Sequence, residues 1–312
     1  MNSTKANYLK VRRLLLGSKE KSGLLTQGGL YIMLIGIGFV FLYPILVMMA
    51  TALKDAYDLI NPLVEWIPTK LYLENFQRAW VVLGGTRTVA SSTANMLLIA
   101  CAQTLSSALI AYGFAKFKFP LRNLLFILMI VTFIIPEQVT LMPRYMMFRS
   151  YGMLKTILPF LLPSLTGQGI KSAIFILIFY KFFLMAPKAI DEAAMVDGAG
   201  FLRIFAMINA PLAMPGAVVV FIFSFVWHWN ETYLSDLYFG TAIKTMPLLL
   251  ERFTEYYTKM FPVSPAQNPL LRMNEGIRMA ATVICIVPLV LLYFMVERKL
   301  IESIDRAGIT GE

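Results

Sequence analysis

The sequence predicts an all-α polytopic membrane protein of six transmembrane helices, with a short cytoplasmic helix hairpin ahead of the fifth. Three observations carry that expectation. Hydrophobic residues make up 58% of the 312-residue chain and charged residues only 15%, whereas soluble domains are nearer a quarter charged. Uncharged runs long enough to cross a bilayer recur along the chain. The 28 Lys and Arg, against 18 Asp and Glu, gather at the ends of those runs, as membrane topology requires.

These observations also exclude. Most residues are needed for membrane spans, which leaves no room for a separate soluble catalytic domain. The net charge of +10 flanks apolar runs instead of forming a patch, so it reads as topology and not as nucleic-acid binding. Cys101 and Cys285 fall inside predicted spans, where a cysteine is a small packing residue and not half of a disulfide or a metal site.

Taken in order, no charge occurs from Ser22 to Leu53, and the apolar part of the first span runs from about Gly29. Thr88 to Ala115 is uncharged and supplies the second span. The third starts after Arg122, runs through Leu124–Ile135 and meets Pro136 and Glu137 at its far end. Thr156 to Ile170 is apolar but interrupted by Pro163, Gly167 and Gly169. It reads as a re-entrant or interfacial piece, followed by a fourth span from about Gln168 to Leu184. Ile204 to Asn230 lacks charge, and the fifth span is expected to begin after Pro211 and Pro215. Met279 to Val296 makes the sixth.

Charge on the connections sets the orientation. Lys5, Lys10, Arg12, Arg13, Lys19 and Lys21 precede the first span, and Lys116, Lys118 and Arg122 separate the second from the third. Lys181, Lys188 and Arg203 lie between the fourth and fifth, and Arg298, Lys299 and Arg306 follow the sixth. The positive-inside rule then places both termini of a multi-pass plasma (inner) membrane protein in the cytoplasm. The basic segment 1–28 does not read as a cleavable signal, because the apolar run after it is too long and lacks a small-residue cleavage site. Residues 29–300 form the six-span membrane body, and 301–312 a cytoplasmic tail. Two outer connections are substantial: Lys54 to Arg87, with Trp66, Pro68 and Trp80, and Glu231 to Arg278, with Pro262, Pro265, Pro269 and the pair Tyr256 and Tyr257. Both are long enough to meet an external partner, or simply to cap the bundle.

The stretch Asp191-Glu192-Ala193-Ala194-Met195-Val196-Asp197-Gly198-Ala199-Gly200, running on to Ile208-Asn209-Ala210-Pro211, is a charged segment between two apolar ones. Pro187 suits the first turn of a helix, and Gly198 its end, where positive φ costs glycine little. Phe201, Ile204, Phe205 and Ile208 recur at helical spacing and would form one apolar face of a second helix. Pro211 and Pro215 are expected to stop that helix and turn the chain into the fifth span. The product, at about 187–211, is a helix–turn–helix at the cytoplasmic surface.

Glu192-Ala193-Ala194, Asp197-Gly198-Ala199, Ile208 and Pro211 resemble the EAA loop of bacterial ATP-binding-cassette (ABC) importer permeases, with Ala210 where the family usually carries leucine. Ala52-Leu53-Lys54, Leu73-Glu74-Asn75-Phe76, Trp229-Asn230-Glu231 and the tail Arg306-Ala307-Gly308-Ile309-Thr310-Gly311 are similar to motifs of the MalG-type carbohydrate permeases. In the tail, Ser303 and Thr310 stand where relatives often have glycine and lysine. The resemblance implies that the hairpin docks on a separate ATPase through Glu192, Ala193, Ala194, Asp197, Gly198, Ile208 and Pro211. It also implies a homologous second permease subunit, an ABC ATPase dimer that carries ATP and Mg, an extracytoplasmic solute-binding protein and a sugar substrate. The chain itself would hold no cofactor. It carries no Gly-x-x-x-x-Gly-Lys-Ser/Thr phosphate loop, so it is not expected to be an enzyme or to hydrolyse ATP.

No acidic or basic residue sits firmly mid-span, which argues against an ion-coupled carrier or a charged cargo. Neutral polar groups are there instead: Ser92, Asn95, Gln103 and Ser106 near one face of the second span, and Ser224, His228 and Asn230 in the fifth beside Trp227 and Trp229. Asn95, Gln103, Ser224, Trp229 and Asn230 could line a sugar path. Each alone is better accounted for as helix-to-helix glue or as an interfacial aromatic. The same machine carrying a polyol, sugar phosphate or polyamine fits the residues as well. An ion-coupled secondary transporter fits less, since intramembrane carboxylates and internal repeats are missing.

Overall fold

In lipid, backbone hydrogen bonds can be satisfied only within helices or closed barrels, and this chain takes the first route. The computed structural model describes residues 17–18, 21–262 and 272–309. Apart from a two-residue ladder pairing Gly17–Ser18 with Lys21–Ser22, every regular element among the described residues is helical. The chain divides into two compact units, the first made of the described residues up to Gln77 with those from 272 to Val283, the second of Arg78 onward and the part of the last helix from Ile284.

In the first unit, α1 (Leu24–Ala52) is a 29-residue apolar helix about 43 Å long at 1.5 Å per residue, and its side chains face outward. α2 (Ala56–Ile60) is capped by Asp55, which accepts from the N–H groups of Tyr57 and Asp58. Two of the sequence motifs interlock here. Asn75, fully buried, donates to Ala52 O at 2.9 Å and Lys54 O at 2.7 Å. Lys54 in turn donates to Val64 O and Glu65 O, both at 2.7 Å. The close approach explains Gly276, where a Cβ would lie 2.7 Å from Asn75 Nδ2.

α3 (Glu74–Val82) leads into the second unit, which is built around α4 (Gly85–Lys116), a 32-residue helix that α7, α8 and α12 pack against. α5 (Arg122–Ile134) ends at Ile135 and Pro136, where the chain bends by 99° into α6 (Glu137–Ser150). α7 (Leu158–Leu165) is the apolar piece before the fourth span. α8 (Ser172–Met185) begins four residues later than Gln168, because Gly167 (φ +73°) and Lys171 (φ +56°) both turn left-handed. A 73° bend leads to α9 (Lys188–Val196), followed by α10 (Phe201–Ile204), a π-helical turn at Phe205–Asn209 and α11 (Ala210–Leu212). Pro211 lies in the last turn of this helical run, Phe201–Leu212. The chain breaks at Ala213, between Pro211 and Pro215, before α12 (Met214–Asn230), bent by 79°. α13 (Tyr233–Phe239), α14 (Met246–Glu251) and α15 (Phe253–Met260) follow. α16 (Glu275–Ile309) is continuous over 35 residues despite Pro288.

α1, α4 and Glu275–Lys299 of α16 are each long and apolar enough to cross a membrane. The three bent pairs qualify only when each is taken as one broken span, which gives up to six crossings. Pro265 and Pro269, the basic residues Lys5 to Lys19 and the side chains of the tail motif lie outside the described residues.

Candidate functional site

The hairpin is seated on aromatic rings. Tyr112 near the end of α4 packs on Phe205 (centroids 5.1 Å apart) and Phe183 (5.6 Å), and Phe117 meets Phe201 edge-on at 4.9 Å. Of the predicted apolar face, Ile204 and Phe205 are buried, Ile208 is half-buried and Phe201 stays half-exposed.

A polar pin holds the same place. Asp191 Oδ2 lies 2.7 Å from Lys116 Nζ, the last residue of α4, and Asn209 Nδ2 donates to Asp191 Oδ1 at 2.8 Å. Asp191 is 7% exposed and Asn209 not at all, so the ion pair is largely shielded from water and holds both halves of the hairpin to the second candidate span. The π turn has a local reason to exist here. Its one extra residue rotates the chain that follows by about a third of a turn, which brings Asn209, at its end, beneath Asp191.

The predicted hairpin residues lie on the other side. Glu192, Ala193, Asp197, Gly198 and Pro211 are exposed, and Ala194 is half-buried. Val196 is 88% exposed and Leu202 78%, an apolar surface with no cover among the described residues. Asp197-Gly198-Ala199 is the C-terminal cap of α9. Gly198 N–H donates to Met195 O at 3.0 Å and Ala199 N–H to Ala194 O at 2.9 Å, the paired bonds of a Schellman motif, with Gly198 at φ +79°. Lys116, Asp191 and Asn209 were not singled out from sequence. The available signal was the Asp191-Glu192 pair: neighbours on a helix point about 100° apart, so the two carboxylates do not share one direction.

The intramembrane residues separate in the same way. Gln103 and Ser224 are both fully buried and bonded to each other, Ser224 Oγ donating to Gln103 Oε1 at 2.5 Å. Gln103 Nε2 donates to Ile170 O at 2.7 Å and Ser172 Oγ at 2.9 Å, fastening the left-handed bend before α8. Ser106 donates to Ser164 O at 2.5 Å. His228 Nδ1 donates to Ser224 O at 2.8 Å. Trp229 is buried and stacked on Phe225 at 5.6 Å. Asn95 is half-buried and Asn230 exposed, so these two amides, of the five path residues, present surface.

Comparison with known proteins decides the family. Residues 103–305 match the family described as binding-protein-dependent transport system inner membrane component. The chain belongs to this family. The ABC-importer permease read from the motifs is thus borne out, as is the all-helical membrane fold. The permease is 31% identical over 232 residues to the osmoprotective compounds uptake permease protein GgtD of Synechocystis sp., covering 71% of this chain and 76% of that one. It is 25% identical to the diacetylchitobiose uptake system permease protein NgcG of Streptomyces coelicolor (86% and 83% covered). It is 29% identical to the sn-glycerol-3-phosphate transport system permease protein UgpE of Shigella flexneri (73% and 84%). A crystal structure of a bacterial ABC transporter involved in import of the acidic polysaccharide alginate contains a chain of the same fold, with a TM-score of 0.66 at 20% identity, covering 87% of the permease and 95% of that chain.

Proposed function

We propose that this permease is one of two in an ABC importer for a sugar or oligosaccharide, forming half of the translocation path and drawing its energy from a separate ATPase through the hairpin. The observation that carries the coupling half is the opposed placement of two adjacent carboxylates. Asp191 is buried against Lys116, so the hairpin moves with the end of α4, while Glu192 projects outward beside exposed Val196. A surface pinned to a membrane helix and uncovered on its far side is what a mechanical coupling needs.

In this reading 1–28 is a cytoplasmic segment, 29–300 the six-span domain with the hairpin at about 187–211, and 301–312 a cytoplasmic tail, so both termini are inside. The partners are a homologous permease, an ABC ATPase dimer holding ATP and Mg, and an extracytoplasmic binding protein. Glu192 pairs with a basic group of the ATPase, with Ala193, Ala194, Asp197, Gly198, Ile208 and Pro211 shaping the contact. Relatives named for diacetylchitobiose and sn-glycerol-3-phosphate support a carbohydrate-type cargo. Asn95 and Asn230 offer amides to that cargo, while Gln103, Ser224 and Trp229 shape the wall behind.

Reconstitution with the partner subunits tests the coupling. Truncating one partner of an interfacial charge pair costs about 2–5 kcal/mol, so Glu192→Ala should reach the membrane normally and lose ATP-driven uptake. Gly198→Asp should do the same for a different reason. A Cβ there meets nothing within 4 Å, but φ +79° is a left-handed conformation that L side chains adopt less readily than glycine, and the added carboxylate would place new negative charge beside Glu192. Wild-type uptake by either variant would refute the assignment.

A further inference from the structure

Between the break in the third candidate span and the bend ahead of the fourth lies a cleft of about 390 Å³, within the range of small-molecule sites. The Ile135-Pro136 break and Glu137 form one wall, and the Gly167–Lys171 bend forms the other. Its depth follows from helix length. α5 has 13 residues and α8 has 14, so each rises only about 20 Å from its basic cytoplasmic end in a hydrocarbon core about 30 Å thick. Two helices that stop short of the far side, with charged groups at those ends, are tolerated in a membrane where they line a cavity.

The charges are unequal. Lys171 Nζ lies 3.4 Å from Glu137 Oε1 and 5.9 Å over the Phe133 ring. Arg144 lines the same cleft and makes no salt bridge or hydrogen bond among the described residues. The cleft therefore holds one carboxylate against two cations, and the unmatched cation is a guanidinium, whose planar fork suits a carboxylate or phosphate. Gln138, Thr140 and Gln168 on its lining supply neutral donors and acceptors for hydroxyls. Lys171 is held in its left-handed conformation by the Gln103 bonds to its neighbours Ile170 and Ser172, so the second span's buried amide fixes one wall.

We propose that this cleft is a cargo subsite for a hydroxyl-bearing solute with one anionic group, carboxylate or phosphate, which Arg144 pairs. The proposal rests on the importer reading and narrows its cargo. It also reverses the sequence-based expectation of neutral cargo, since Glu137, Arg144 and Lys171 all fall at the edges of uncharged runs and meet only through the helix breaks.

The test uses the complete importer (this chain, second permease, ATPase and binding protein) in proteoliposomes. Uptake of radiolabelled mono- and disaccharides is compared in matched neutral, uronate and phosphate forms. The expected result is uptake of at least one anionic form at least tenfold above its neutral counterpart, the uronate and phosphate arms showing which anion is carried. Arg144→Gln should lower that uptake at least tenfold. Arg144→Lys, which keeps the charge without the fork, should give an intermediate rate and serves if the first variant fails to accumulate. Absence of any anionic uptake, or anionic uptake unchanged in both variants, overturns the subsite. Uptake that proceeds without ATP overturns the importer reading instead.

Discussion

Asp191 and Glu192 are neighbours with opposite environments, and the contrast gives the sharpest test of the hairpin at the residue scale. Removing one member of a buried ion pair leaves an uncompensated charge and costs about 3–5 kcal/mol; with about a tenth of each side chain still exposed, about 3 kcal/mol is expected. Asp191→Ala or Lys116→Ala should therefore lower the thermal midpoint of the detergent-purified permease and also abolish uptake. The exchange Lys116→Asp with Asp191→Lys should recover part of both. Glu192→Ala should lose uptake with an unchanged midpoint, because its side chain is exposed. Equal melting of all the single variants would mean that no pin exists. The motif was legible in the sequence, including the glycine cap, since Gly198 at the end of an Ala-rich segment has a direct backbone reason. The pin was not. Nothing in the sequence pairs Asp191 with Lys116, far off along the chain, and the π turn that aims Asn209 has no sequence signature.

At the scale of elements, uncharged runs located α1, α4 and α16, because an apolar stretch in lipid has few options other than helix. The broken spans were harder. Pro163, Gly167 and Gly169 marked the fourth as interrupted, but the left-handed Lys171 that delays α8 to Ser172 is a conformation uncommon for a non-glycine residue and unsignalled by composition. Pro211 and Pro215 marked the bend into α12, which falls between them at Ala213. The bend before α8 should be sensitive to volume. A Cβ at Gly169 would lie 2.7 Å from Ser164 Oγ, 2.9 Å from Gln103 Nε2 and 3.1 Å from Ser164 Cα. Gly169→Ala is expected to cost about 1–3 kcal/mol by overpacking, read as a lower thermal midpoint. Gln103→Leu, which strands the Ile170 carbonyl and the Ser172 and Ser224 hydroxyls, should cost about 1–3 kcal/mol. A midpoint unchanged in both would show that the bend is not built on these contacts.

At the scale of the whole molecule, 58% hydrophobic content and the placement of Lys and Arg were enough for the fold class, because the energetic cost of charge in hydrocarbon dominates every local preference. Orientation follows from the same cost and can be measured directly. In the proposed orientation, with both termini inside, the connection after α1 would face outward and the α9 hairpin the cytoplasm. Leu63 is 90% exposed and Val196 88%, so a cysteine at either would be open to reagent without disturbing packing. In a Cys101→Ala, Cys285→Ala background, expressed without an ATPase partner so that the hairpin stays uncovered, Leu63→Cys should react with a membrane-impermeant maleimide on intact cells. Val196→Cys should react only once the cells are permeabilised. The ATPase, when co-expressed, should then slow labelling of Val196→Cys in permeabilised cells and leave Leu63→Cys unchanged. Labelling of Val196→Cys from outside intact cells would put the hairpin on the wrong side of the membrane for any ATP-driven engine, and the coupling mechanism would fall with the topology.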